Sequence, residues 1–255
     1  MYILLIIIIL LCIINRIKYN ESKQLLNNNI KSYVLYIDKR FNYIKNIINE
    51  LNINSTFIKG IDYKYLSKNK LVKDNLISRQ WITDTINKVK YIKEFSLARV
   101  ACHLGHITIL KNFLQNNKKY ALIFEDDIKI ENYDLITKIN IIINNIPKDA
   151  EIIYLSYCFE YCDKLKKINT IFSKAYRPLC RHMYIVTKKG ATKIIKHTLP
   201  MFSSGDRMIG HLIQKNILNG YLVNPEYLNI KQLRTKTGIL RTTLDNIENH
   251  TQCMN

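Results

Sequence analysis

The stretch Tyr120-Ala-Leu-Ile-Phe-Glu-Asp-Asp-Ile-Lys-Ile130 decides the fold. Five mostly large apolar residues run into three consecutive carboxylates, Glu125, Asp126 and Asp127. A short, continuous apolar run of this kind reads as a strand buried on both faces. Such strands belong to parallel α/β sheets covered by helices on each side. Where the strand emerges, three like charges repel and raise one another's pKa. Two readings follow: a solvated acidic turn, or a site for a hard divalent cation with oxygen ligands. On an extended backbone Glu125 and Asp127 point the same way and Asp126 the other.

The flanking sequence supports an α/β chain. Upstream, Tyr33–Ile37 is a β-rich run, Phe41–Leu51 has helical apolar spacing, and Thr56–Asp62 reads as a second strand and turn. Together they form a β-α-β opening. Residues 63–94 are charged and weakly patterned and read as a long surface loop with helical pieces. Ser96–Leu114 is a stronger helix, with Cys102 and His106 at i, i+4 and His103 beside them. Those three read either as a metal group or as packing and hydrogen-bonding groups near a site. Downstream, helix 135–146, strand 151–156, strand 182–186 and helix 188–197 follow in turn. Asp206 sits in Ser203-Ser-Gly-Asp206 ahead of an apolar-patterned stretch, and Tyr221–Val223 reads as the last strand.

With 255 residues, 47% of them hydrophobic and few Gly or Pro, the chain suits one globular domain. The net charge is +19, from 39 basic and 20 acidic residues. It suggests an anionic partner, yet the basic residues form no block and no nucleic-acid reading motif is present. The excess of Ile, Asn, Lys and Tyr instead suggests compositional drift. Residues Met1–Ile14 are uncharged and apolar. That run is short for a membrane span, which needs about 20 residues, and suits a signal peptide or signal anchor. Arg16, Lys18 and Lys23 follow it; by the positive-inside rule the remainder would be cytoplasmic, whereas a cleaved signal or short anchor would place it in a lumen. The expected organisation is an anchor over 1–17, a stem over 18–32, a domain over 33–227 and a basic tail over 228–255. The expected location is membrane-associated, in the ER or Golgi lumen, or secreted. Cys158, Cys162 and Cys180 leave three readings open: buried small residues, a disulfide, or, with His182, a zinc site.

No Gly-rich phosphate loop occurs, so a nucleotide would be held through a metal and basic side chains. A cation at the acidic cluster would stabilise a diphosphate leaving group as a Lewis acid. Arg40 is a candidate phosphate or uracil contact, or else a solvated arginine.

At this point the chain resembles glycosyltransferase family 25, which includes lipooligosaccharide and procollagen galactosyltransferases. The resemblance rests on five segments in order: Tyr36-Ile-Asp38-Lys-Arg40, Gly60-Ile-Asp62, Ala101-Cys102-His-Leu-Gly105-His106, Ala121-Leu-Ile-Phe-Glu125-Asp126-Asp127, and Tyr184-Ile-Val-Thr-Lys-Lys-Gly190-Ala191. Asp206 falls where the family has a later aspartate. Arg99 stands where the family usually has an acid, and Gly105 replaces a serine. The resemblance implies a GT-A-type, Rossmann-like, mostly parallel sheet flanked by helices. It also implies Mn²⁺ or Mg²⁺, a nucleotide-sugar donor such as UDP-galactose or UDP-glucose, and an inverting displacement. Glu125 and Asp127 would be metal ligands. Arg40, Asp38, Asp62, His106 and Asp126 would be donor contacts, and Asp206 with Asp127 would be catalytic. Asp206 as general base competes with a plainer reading as a first-turn helix carboxylate. The acceptor would be a glycan, a lipid-linked glycan or a hydroxylysine-type protein hydroxyl, with the membrane reached through the N-terminus and no nucleic acid. The competing functions are a basic nucleic-acid-binding protein and an inactive glycan-binding relative.

Overall fold

The structure is a computed structural model that describes residues 4–11, 14, 29–88, 95–130, 134–228, 230–232 and 252–253. The chain opens with β1 (Ile30–Tyr36), α1 (Phe41–Glu50) and β2 (Ser55–Lys59). Two short helices follow, α2 (Lys68–Lys73) and α3 (Arg79–Ile86), and then the long α4 (Leu97–Leu114). Next come β3 (Tyr120–Glu125), β4 (Ile128–Lys129), α5 (Leu135–Asn144) and β5 (Ile152–Ser156). Short strands β6 (Phe159–Glu160), β7 (Lys166–Lys167) and β8 (Phe172–Lys174) precede β9 (Met183–Thr187), α6 (Lys188–Thr198), α7 (Gly205–Gln214) and β10 (Gly220–Val223). Two further pairs complete the described chain: β11 (Lys231–Gln232) lies antiparallel on β4, and β12 (Gln252–Cys253) parallel to β6.

Eight strands form one mixed sheet in the order β2-β1-β3-β9-β5-β10-β8-β7. β1 runs parallel to both β2 and β3, and β10 runs parallel to β5. β9 is antiparallel to both β3 and β5, so one reversed strand divides the parallel set. The carboxyl ends of β1, β2, β3 and β5 therefore share one edge, where ligands bind in open α/β sheets.

Alternation along the strands builds a core on each face. Val34, Leu122, Phe124 and Ile185 point to one side and meet Ile44 and Ile48 of α1 and Ile139 and Ile142 of α5. Leu35, Ile123, Tyr184 and Val186 point to the other and meet Ile109 and Phe113 of α4, Ile194 of α6 and Ile209 of α7. Two glycines permit close contacts between the layers. A Cβ on Gly105 would stand 2.8 Å from Leu35 Cδ1, so α4 lies directly on β1. A Cβ on Gly190 would stand 2.1 Å from the Glu151 carbonyl oxygen. Backbone cannot move away as a flexible side chain can, so Gly190→Ala is expected to destabilise the fold by about 3 kcal/mol. Chemical denaturation checks this; an unchanged midpoint would contradict the packing.

The weakly patterned 63–94 stretch is more anchored than its sequence suggests. Leu71, Ile77 and Trp81 form a third apolar cluster with Val100, Leu104, Met201 and Met208, and Ile77 bridges to Met201. Residues 89–94 lie outside the described residues. The domain also continues past 227, because Leu228 and Ile230 are buried in the first core. The stem expected over 18–32 lies largely outside the described residues, as does most of the tail beyond Gln232. Leu4–Leu11 is helical and exposed. Among the described residues no helix is long and apolar enough to cross a membrane.

Candidate active site

The three carboxylates sit where β3 ends and a tight turn leads into β4. They point in three directions, and each has its own partners. Asp126 turns back to β1, where it accepts from the Ile37 N–H at 2.6 Å and from Arg40 Nε at 2.7 Å. Arg40 Nη2 lies 2.6 Å from the same carboxylate. This two-pronged, nearly buried pair ties the acidic turn to the end of β1. Arg40 still lines the cleft, but its charge is matched by Asp126.

Glu125 Oε1 lies 2.7 Å from His106 Nε2, and His106 Nδ1 lies 3.0 Å from the Tyr184 hydroxyl. His106 is fully buried, and desolvation with the nearby Arg181 charge holds its pKa well below the ordinary value. The imidazole is therefore neutral. The assignment that satisfies each partner has Tyr184 O–H donating to Nδ1 and Nε2–H donating to Glu125. His106 thus orients Glu125, and its own ring has no open face toward the cleft.

Asp127 is 7% exposed. Its Oδ2 accepts from Gln232 Nε2 at 2.8 Å, while its Oδ1 is buried without a hydrogen-bond partner. Burial, then the neighbouring Glu125 charge, push its pKa up to about 7. Burial likewise raises the Glu125 pKa. Two desolvated carboxylates, with the Glu125 charge raising the Asp127 pKa and one oxygen orphaned, offer the donor chemistry a hard divalent cation satisfies. The residues present thus fit such an ion.

Sequence reasoning missed Arg181. Nothing local marks it, since it is one arginine in a loop after Cys180. In three dimensions it is 2% exposed, with Nε 3.1 Å from Asp206 Oδ1 and Nη2 3.1 Å from His103 Nδ1. Arginine only donates, so His103 Nδ1 accepts and Nε2–H faces Thr198 Oγ1 at 2.8 Å. Thr198 in turn donates to the Ile194 carbonyl at 2.7 Å, which completes the chain. Asp206 lies in the first turn of α7, so the plainer helix reading and the site reading describe one residue. Its carboxylate remains 38% exposed. Desolvation raises its pKa and the Arg181 charge opposes that rise. The preceding glycine has a reason: a Cβ on Gly205 would stand 2.5 Å from His103 Nδ1 and 2.6 Å from Arg181 Nη2.

A cleft of about 210 Å³ runs beside Glu125 and Asp126 and is walled by Tyr36, Gly60, Tyr63 and Cys102. Asp38 and Asp62 stand nearby but are otherwise engaged. Asp38 is 72% exposed and paired to Lys59 at 2.7 Å. Asp62 accepts from the Lys64 N–H and caps a short turn. Cys102, His106 and Glu125 offer three ligand atoms within 4.8 Å of one another, but both His106 nitrogens already have partners. The hydrogen-bonding reading of that helix face therefore describes it better than the metal one. The cysteine loop also settles on one of its three readings. Cys158 and Cys180 form a disulfide and Cys162 is disulfide-bonded too, which leaves no thiolate for zinc.

Gln232 was missed for another reason. It lies in the stretch expected to be tail, and only β11 pairing with β4 brings it to Asp127. Ser156 helps hold that strap, with Oγ 2.5 Å from both the Ile230 carbonyl and His182 Nε2.

Among solved structures, the crystal structure of A197 from STIV matches with a TM-score of 0.43 and 8% identity over 80% of this chain and 86% of that one. The crystal structure of a glycosyltransferase involved in the glycosylation of the major capsid of PBCV-1 matches with a TM-score of 0.42 and 7% identity, over 76% and 82%. No curated protein sequence matches. The model of glycosyltransferase family 25 (LPS biosynthesis protein) matches residues 29–209, from the start of β1 into α7 and across every carboxylate of the site. The chain belongs to glycosyltransferase family 25 and is a glycosyltransferase.

Proposed function

We propose that this glycosyltransferase moves a hexose, galactose or glucose, from a UDP-sugar to a hydroxyl of a glycan, lipid-linked glycan or protein, with inversion and with Mn²⁺ or Mg²⁺. The observation that carries this reading is Asp127 Oδ1, a buried carboxylate oxygen without a partner, two residues from Glu125, whose pKa burial also raises. Asp127 and Glu125 would hold the ion. Bound there, the ion would neutralise the diphosphate leaving group as a Lewis acid.

The remaining roles belong to this chain's own groups. Asp126 and Arg40 fix the acidic turn against β1, so the metal ligands are preorganised. His106 and Tyr184 keep Glu125 in one rotamer. Asp206, held by Arg181 and partly open to solvent, is the base that takes the acceptor hydroxyl's proton. Single displacement with inversion needs one such base and no protein nucleophile. The cleft along Tyr36, Gly60 and Tyr63 would take the nucleotide end of the donor. The mixed sheet, with β9 reversed inside a parallel set, supports a GT-A-type fold. The Cys158–Cys180 disulfide supports an oxidising compartment, either the ER or Golgi lumen or the exterior.

Thermal shift with UDP, UDP-galactose and UDP-glucose, each with and without Mn²⁺, tests the reading. The expected outcome is stabilisation by UDP and by one UDP-hexose that requires the ion. At 100 times Kd such binding is worth about 2.7 kcal/mol. Equal stabilisation in EDTA would remove the metal from the scheme. The absence of any nucleotide effect would favour a glycan-binding relative without transfer activity.

A further inference from the structure

Taking Asp206 as the base, as in the proposed reaction, we propose that the Cys158–Cys180 disulfide is a positioning link that holds Arg181 against it. Cys158 follows β5, and Cys180 stands immediately before Arg181. The cross-link therefore closes one residue away from the guanidinium's own backbone.

Arg181 rides on the connection between β8 and β9, residues 175–182. The first part of that connection is held by hydrogen bonds. The buried Glu160 carboxylate accepts from the Tyr176 N–H at 3.0 Å and from the Arg177 N–H at 2.8 Å. Leu179 bridges to Phe159, and its N–H donates to the Phe159 carbonyl at 3.0 Å. Beyond Arg181, the His182 carbonyl accepts from the Glu125 N–H at 2.7 Å, and β9 begins at Met183. Between these anchors lies Cys180, with φ of 64°. That left-handed conformation is costly for a residue with a Cβ and persists only where its surroundings hold it. The bond to Cys158 acts at this point. The turn it holds sends Arg181 inward, where the side chain is buried and meets both Asp206 and His103. Cys180 also offers Asp206 its own backbone N–H, which favours the charged carboxylate.

The other sulfur backs the second half of the site. Cys158 Sγ lies 3.9 Å from Gln232 Oε1, and Gln232 Nε2 donates to Asp127 Oδ2 at 2.8 Å. A disulfide sulfur carries no hydrogen, so this is a packing contact that limits how the Gln232 amide can turn. One covalent link thus stands behind two carboxylates, Asp206 through Arg181 and Asp127 through Gln232. Restricting the unfolded chain requires none of this placement, since a cross-link elsewhere between the same segments would do it equally well. The groups that face Asp206 are Arg181 from this connection, Cys102 and His106 of α4, Glu125 of β3, Tyr154 of β5 and Tyr184 of β9. Of these, Arg181 carries the positive charge, because His106 is neutral. A displaced Arg181 would leave Asp206 protonated to higher pH.

The double variant Cys158→Ser/Cys180→Ser tests the proposal, since serine keeps the Cys180 N–H. Its kcat is expected to fall about 10-fold, and the acid limb of its kcat/KM profile to move to higher pH. Arg181→Gln made in that background should cost less than about 10-fold further, because the guanidinium has already left its place. A folded double variant with an unmoved acid limb, or full additivity of the two changes, would overturn the proposal and leave the cystine a purely structural cross-link. Asp206→Asn separates this outcome from the base assignment. An active Asp206→Asn variant would remove Asp206 as base and the positioning role with it. An inactive one beside an unmoved acid limb would remove the positioning role alone. If the double variant does not fold, brief dithiothreitol treatment of folded Cys162→Ser protein takes its place, since Cys162 is disulfide-bonded as well. Reduction there should move the acid limb in the same direction, and an unmoved limb would again overturn the proposal.

Discussion

Asp127→Asn is expected to abolish sugar transfer and to make the metal-free protein more stable. The loss of activity should reach about 10³-fold or more, because a Lewis-acid metal supplies several kcal/mol of charge stabilisation. The gain in stability comes from the same carboxylate. Its pKa is pushed up to about 7 in the fold, chiefly by burial, against an ordinary 3.8. A raised acid pKa means the folded state binds the proton more tightly than the unfolded chain does. The stability it contributes is therefore complete below about pH 4 and is lost as the pH rises through 7. The neutral amide does not lose it. In EDTA the gap between variant and wild type should open from near zero at pH 4 to as much as about 4 kcal/mol above pH 7. Added Mn²⁺ should narrow that gap by stabilising only the wild type. Parallel stability curves for the two proteins across this range would remove the desolvated-carboxylate account. An active Asp127→Asn variant would remove the metal assignment.

Arg181→Gln is expected to lower kcat about 100-fold and to move the acid limb of the kcat/KM profile to higher pH. Desolvation raises the Asp206 pKa, and Arg181 is the main influence opposing that rise. Without the guanidinium the base is protonated over more of the working range. Arg181 acts through Asp206, so Arg181→Gln in an Asp206→Asn background should cost little further activity. Arg181→Lys restores the charge, so the acid limb should return toward its original position. Lysine lacks the fork that meets both Asp206 and His103, so kcat should recover only in part. The stability cost of Arg181→Gln should be about 2 kcal/mol, smaller than for a fully buried pair because Asp206 is 38% exposed. A fall in kcat with an unmoved pH profile would make Arg181 a purely structural residue.

Much of the fold is legible in local patterns. The apolar run before Glu125, the helical spacing of Phe41–Leu51 and the Gly190-Ala191 segment each report an element whose burial is set by its own sequence. The direction of β9 is less legible. A continuous apolar strand reads the same whether it runs parallel or antiparallel, and only its pairing with β3 and β5 reverses it. Residues 63–94 mislead for a related reason. Leu71, Ile77 and Trp81 are widely spaced, and their burial depends on Met201 and Met208. The three carboxylates were legible as a cluster with Asp126 set apart from Glu125 and Asp127, but the partners of each were not. Asp126 finds its own, Ile37 and Arg40, almost ninety residues upstream.

By itself the sequence determined the family, the α/β class and the position of the acidic cluster at a strand end. These follow from side-chain type and short-range spacing, which the chain carries before it folds. Tertiary structure alone decided which charges compensate which. It paired Arg40 with Asp126, brought the buried Arg181 to Asp206, and laid Gln232 against Asp127 from a segment that read as tail. Electrostatic roles depend on distance and desolvation, and both are set only when remote segments pack together.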